Sequence, residues 1–81
     1  MITTLRELIA EHGRLPVGVD TISNGQDLYA AGLTSFAAVQ LMLAIEDRFD
    51  VEFPETMLNR RSFSSIDAIA GCLHDISAKA A

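Results

Sequence analysis

Cysteine, histidine and positive charge are all scarce in this chain of 81 residues. The one cysteine, Cys72, excludes an internal disulfide, and neither His12 nor His74 has a second ligand at a spacing suited to zinc, so no metal site is expected. A reducing cytoplasm is the compartment this implies. Six Lys and Arg against eleven Asp and Glu leave a formal net charge of −5. The basic residues are scattered, which argues against DNA or RNA, whose phosphates demand clustered cations. Basic or neutral partner surfaces are the better expectation. No apolar run approaches the ~20 residues needed to span a bilayer. Met1-Ile2-Thr3-Thr4-Leu5-Arg6-Glu7 lacks the charged-then-apolar layout of a signal peptide, so a soluble cytoplasmic protein with no membrane partner is expected.

What is present is apolar residues at helical spacing. A hydrophobic content of 49% in so short a chain predicts one compact domain over residues 1–81, built on a single shared core. Leu5, Leu8 and Ile9, with Thr4 and Glu7 as a capping box, predict helix I from about Leu5 to His12, ended by Gly13. Pro16, Gly18, Asn24-Gly25 and Gly32 then break residues 14–34 into a long loop, pinned by Val19, Ile22 and Leu28. A loop of that length in a small domain is usually functional. Helix II is expected from Thr34 or Ser35 to about Phe49, with Ala38, Leu41, Met42, Ile45 and Phe49 facing inward. Pro54 makes residues 51–54 an extended connector, and Met57–Asn59 is the expected place of a short helix III. Ser64 and Asp67 read as a second cap, opening helix IV with Ile66, Ile69, Ala70, Leu73 and Ile76 inward and a frayed end at Lys79-Ala80-Ala81. No strand-like alternation or repeat competes. The fold class is all-α: a small four-helix bundle of three main helices, a short helix III and a long first connection.

Helix II carries more apolar residues than its inner face needs. Turning Leu41, Met42, Ile45 and Phe49 inward places Phe36, Gln40, Leu43 and Asp47 outward, with Val39 also off the core face. Either the 14–34 loop folds over them or they form a docking surface for a partner. The outward stripe begins one residue after Ser35, a hydroxyl at the start of the helix, where unpaired backbone N–H groups and the helix dipole favour an anion. A serine there is ordinarily a cap. Here Thr34 can supply the capping oxygen and leave Ser35 free. No nucleophile has a His or acidic partner at a recognisable spacing, so no catalytic residue is assigned and the chain is not expected to be an enzyme.

Asp27-Leu28, Gly32-Leu33-Thr34-Ser35-Phe36 and Glu46-Asp47-Arg48-Phe49-Asp50-Val51-Glu52-Phe53-Pro54, in that order, resemble an acyl or peptidyl carrier protein over nearly the whole chain. The resemblance implies that Ser35 receives 4′-phosphopantetheine from coenzyme A through a separate magnesium-dependent phosphopantetheinyl transferase, and that cargo rides as a thioester on the arm rather than on Cys72. Carriers of fatty acid synthesis commonly have Asp-Ser-Leu at this point with acids soon after. This chain has Thr34-Ser35-Phe36, and its acids come later, at Glu46, Asp47, Asp50, Glu52 and Glu55. A housekeeping fatty-acid role is therefore in doubt. The run from Gly32 to Leu43, with Leu58-Asn59-Arg60-Arg61-Ser62-Phe63 after it, is similar to the small bacterial aminoacyl carrier proteins. That likeness implies loading by an ATP-dependent amino acid:carrier protein ligase related to seryl-tRNA synthetases, and delivery to a downstream acyl or aminoacyl transferase. An acyl carrier of a fatty-acid, lipid or polyketide pathway is the alternative, and a non-covalent helical adaptor the more remote one. A shuttle of this kind is expected to be a monomer.

Other residues stay open at this level. Asp27 either assists the transferase or closes a turn, and Gly32 serves the backbone approach into helix II. Arg60 and Arg61 either meet a partner or the phosphodiester, or are plain surface. Cys72, Met42 and Met57 read as core residues, and His74 as solvated.

Overall fold

The computed structural model describes residues 1–80, with side chains as far as Ser77. Three α-helices run over α1 (Ile2–His12), α2 (Ser35–Phe49) and α3 (Ile66–Ala80), joined by 3₁₀ turns at Val19–Thr21, Glu55–Met57 and Arg60–Phe63. Among the described residues there is no strand, and no helix is long and apolar enough to cross a membrane. α1 packs against both α2 and α3. Leu5 and Ile9 from α1, Leu41 and Ile45 from α2, Ile66, Ile69 and Leu73 from α3, and Leu28 from the first loop are fully buried together. Each such side chain stabilises the fold by about 1.5–3 kcal/mol, so this seam supplies the cohesion the small domain needs.

Several boundaries differ from expectation for local reasons. α1 starts at Ile2, with Met1 as its N-cap, and Thr4 lies inside the helix; the anticipated capping box with Glu7 does not form. α2 matches its expected limits, but Ala37 is buried while Met42 and Phe49 are only partly covered. The helix is thus rolled slightly toward its Ala37 side. No continuous helix III spans Met57–Asn59. Two 3₁₀ turns flank Leu58-Asn59 instead, the second capped by Asn59, whose Oδ1 accepts from the Ser62 N–H at 3.0 Å. α3 is capped by Ser65, whose Oγ accepts from the Ala68 N–H at 3.0 Å, and not by Ser64, which turns its hydroxyl back to the Arg61 carbonyl. α3 reaches Ala80; of the end expected to fray, Ala81 lies outside the described residues.

The long loop is held by an arginine that composition gave no reason to single out. Arg6 on α1 donates to the carbonyls of Val19 and Ile22 at 2.8 Å each and to Asn24 Oδ1 at 2.6 Å. The fork geometry of guanidinium suits three acceptors on one strand of loop. Arg6→Ala leaves the Ile22 carbonyl and Asn24 Oδ1 without that donor, while the Val19 carbonyl keeps the Ile22 N–H, and we expect it to cost about 2–3 kcal/mol, read as a lowered urea midpoint.

Candidate functional site

The loop delivers the chain to α2 through a tight crossing. Asp27 closes a turn, its Oδ1 accepting from the Tyr29 N–H at 2.9 Å, and Leu28 passes its own N–H to the Ser64 carbonyl at 2.7 Å. Gly32 then adopts φ +119°, and a Cβ built there lies 2.5 Å from Pro16 Cδ. Glycine is required here both for the torsion and for the close approach. Thr34 follows as N-cap: its Oγ1 accepts from the Ala37 N–H at 3.0 Å. Thr34→Ala should therefore cost about 1 kcal/mol of stability, measurable by thermal melting, without removing the Ser35 hydroxyl.

With capping done by Thr34, Ser35 is the first residue of α2 and stands exposed. It lines a groove of about 350 Å³ together with Tyr29, Met42, Leu58, Arg60 and Phe63, among others. The Arg60 guanidinium lies over the Tyr29 ring, 4.0 Å from its centroid. Burial pushes the Tyr29 phenol above its ordinary pKa; the Arg60 cation opposes that rise and the Asp27 charge adds to it.

The outward residues of α2 are only partly gathered. Phe36 is 68%, Val39 53% and Leu43 55% exposed, so the loop does not fold over them. Val39 shares the groove with Ser35, Gln40 is half-buried, and Asp47 lines a separate hollow between α1 and α2 with Glu7, Glu11 and His12. Cys72 and Met57 are half-buried against the core, and His74 is exposed. Glu46 is committed to structure: its Oε2 accepts from the Phe53 N–H at 2.8 Å. Sequence reasoning missed Tyr29 altogether. The chain's one tyrosine, directly after Asp27-Leu28, was the available signal.

A helical domain that offers one free hydroxyl at the rim of an apolar groove, beside an uncovered helix face, has the anatomy of a carrier. A family model described as the phosphopantetheine attachment site matches residues 3–73. The aminoacyl carrier protein of Agrobacterium fabrum is 62% identical over 69 residues, covering 85% of this chain and 83% of that protein. The carrier protein from Agrobacterium tumefaciens, crystallised with an engineered Bradyrhizobium japonicum glycine:[carrier protein] ligase and AMP, superposes with a TM-score of 0.90 at 58% identity, covering 91% of this chain and 99% of that one. In the corresponding complex with ATP the values are 0.91 and 57%, with coverages of 93% and 97%. The chain belongs to the phosphopantetheine-binding carrier proteins, and its prosthetic group is covalent 4′-phosphopantetheine.

Proposed function

We propose that this chain is an aminoacyl carrier, working as a single domain over residues 1–81, with 4′-phosphopantetheine on the Ser35 Oγ. The observation that carries the reading is the division of labour at the head of α2: Thr34 caps, and Ser35 is left exposed on the groove. The residues suit the group. Ser35 supplies an oxygen for a stable ester, the first-turn N–H groups and Arg60 suit its phosphodiester, and the walls of Met42, Leu58 and Phe63 suit its less polar stem. When bound, the group supplies a thiol that holds an aminoacyl cargo as a reactive thioester. The protein's own part is proximity and recognition, with no catalytic residue of its own. The pair of 3₁₀ turns over residues 55–63 takes the place of the fourth helix of the bundle.

Loading falls to an ATP-dependent ligase of the glycine:[carrier protein] type, which the complexes of its relatives support. A phosphopantetheinyl transferase installs the arm, and a downstream aminoacyl transferase takes the cargo. Phe36, Val39 and Leu43, with Thr34, Gln40 and Asp47 at their margins, form the surface these enzymes grip; an exposed apolar face of this kind is what transient docking uses. The protein acts as a cytoplasmic monomer, which suits rapid exchange between partners. The test is sequential mass spectrometry. Coenzyme A and a transferase should add one group, mapped to the peptide holding Ser35, and glycine or another small amino acid with ATP and ligase should add a second increment. Efficient malonyl loading with no aminoacyl loading would overturn the cargo assignment.

A further inference from the structure

Among the described residues, Arg60 is the one cation lining the groove that Ser35 shares. Its neighbour in the lining, Asn59, is already engaged: Oδ1 accepts from the Ser62 N–H and hydroxyl, and Nδ2 donates to the Thr56 carbonyl at 3.0 Å. The remaining lining is apolar apart from Ser35 and the Tyr29 phenol. Arg60, by contrast, makes no ion pair or side-chain hydrogen bond among the described residues. It lies over the Tyr29 ring, its central carbon 4.0 Å from the centroid, and its N–H donors are left unspent. Contact with the ring restrains the side chain in advance, so less side-chain entropy remains to be lost when an oxyanion arrives. Arg61, next in the chain, is exposed and does not line the groove.

We propose that Arg60, held over Tyr29, is the positioning residue for the phosphodiester on Ser35, seating that anion at the groove and directing the arm along the Met42, Leu58 and Phe63 walls. Two features from different elements make the geometry specific. The anion enters from the α2 side at Ser35, while the cation comes from the 3₁₀ turn Arg60–Phe63. Charge complementarity thus selects the arm of this same chain as the occupant. This inference rests on Ser35 as the attachment point, and the experiment separates the two.

Wild type, Arg60→Ala, Arg60→Gln and Arg61→Ala are converted with coenzyme A and a transferase, and intact mass confirms the added group in each. The ³¹P resonance of each folded holo-protein is then compared with that of the same protein in concentrated urea. We expect wild type and Arg61→Ala to show a clear displacement between folded and unfolded forms, and both Arg60 variants to lose most of it. Tyr29 is the one tyrosine and there is no tryptophan, so its emission gives a second readout. It should change between apo- and holo-protein in wild type and much less in Arg60→Ala. Equal ³¹P displacement in wild type and both Arg60 variants, all carrying the group by mass, overturns the role of Arg60 and leaves the attachment intact. No mass increment in wild type overturns the attachment and this inference with it. Arg60 is exposed, so its variants should fold, which circular dichroism verifies.

Discussion

Ser35→Ala is expected to fold as the parent does and to gain no mass with coenzyme A and a transferase, where the parent gains one group quantitatively. The two halves of this outcome have separate physical causes. Stability is spared because Thr34, not Ser35, satisfies the Ala37 N–H, and because alanine in the first turn of α2 is at least as good a helix former as serine. A change within about 0.5 kcal/mol is the expectation for an exposed position without partners. Cargo loading is lost entirely because the neighbouring hydroxyl, Thr34 Oγ1, is held in the cap and is not a substitute acceptor. Continued addition of the group to the Ala variant would move the attachment to another side chain. A non-covalent adaptor, in contrast, would bind its partners equally well with or without this oxygen.

Gly32→Ala is expected to be the most damaging single change of one methyl. At φ +119° an L-residue carries strain of about 1–3 kcal/mol, and the new Cβ would sit 2.5 Å from Pro16 Cδ. Relieving that overlap means moving Pro16 or the 29–33 turn, at a further cost of about 1–3 kcal/mol. The sum, roughly 2–6 kcal/mol, is a large share of the ~4–12 kcal/mol expected for a domain of this size. Urea unfolding followed by circular dichroism should show a midpoint lowered accordingly. Because Gly32 stands three residues before Ser35, the surviving folded fraction should also be modified more slowly by the transferase. A variant as stable as wild type would show that the crossing is slack.

How much of this was legible in advance follows from how local each cause is. The limits of α2 were readable because its apolar period and the Thr34 oxygen lie within one helix. The buried faces of α1 and α3 were readable for the same reason, although Ser64 and Ser65 were confused: adjacent serines present the same cap signature, and only the geometry says which hydroxyl turns forward. Thr4 and Glu7 misled because a capping box is defined by spacing alone, and the helix found a turn more to form upstream. Helix III failed because residues 55–63 satisfy their carbonyls in tight turns, with Asn59 interrupting them. Arg6 and the Arg60–Tyr29 stack were invisible. Each joins residues distant in sequence, 6 with 19–24 and 29 with 60, and no periodicity encodes such a meeting. At the candidate site the exposed position of Ser35 at the head of α2 was legible, its role and the docking stripe are matters for experiment, and the groove around it was not anticipated.

The bond from the Leu28 N–H to the Ser64 carbonyl ties the first loop to the turn before α3, next to Tyr29 on the one side and Phe63 on the other. At 2.7 Å it acts as a crossbar between loop and turn. Prising the loop from the turn would mean sacrificing that backbone pairing, so the Tyr29 and Phe63 walls of the groove are clamped to each other.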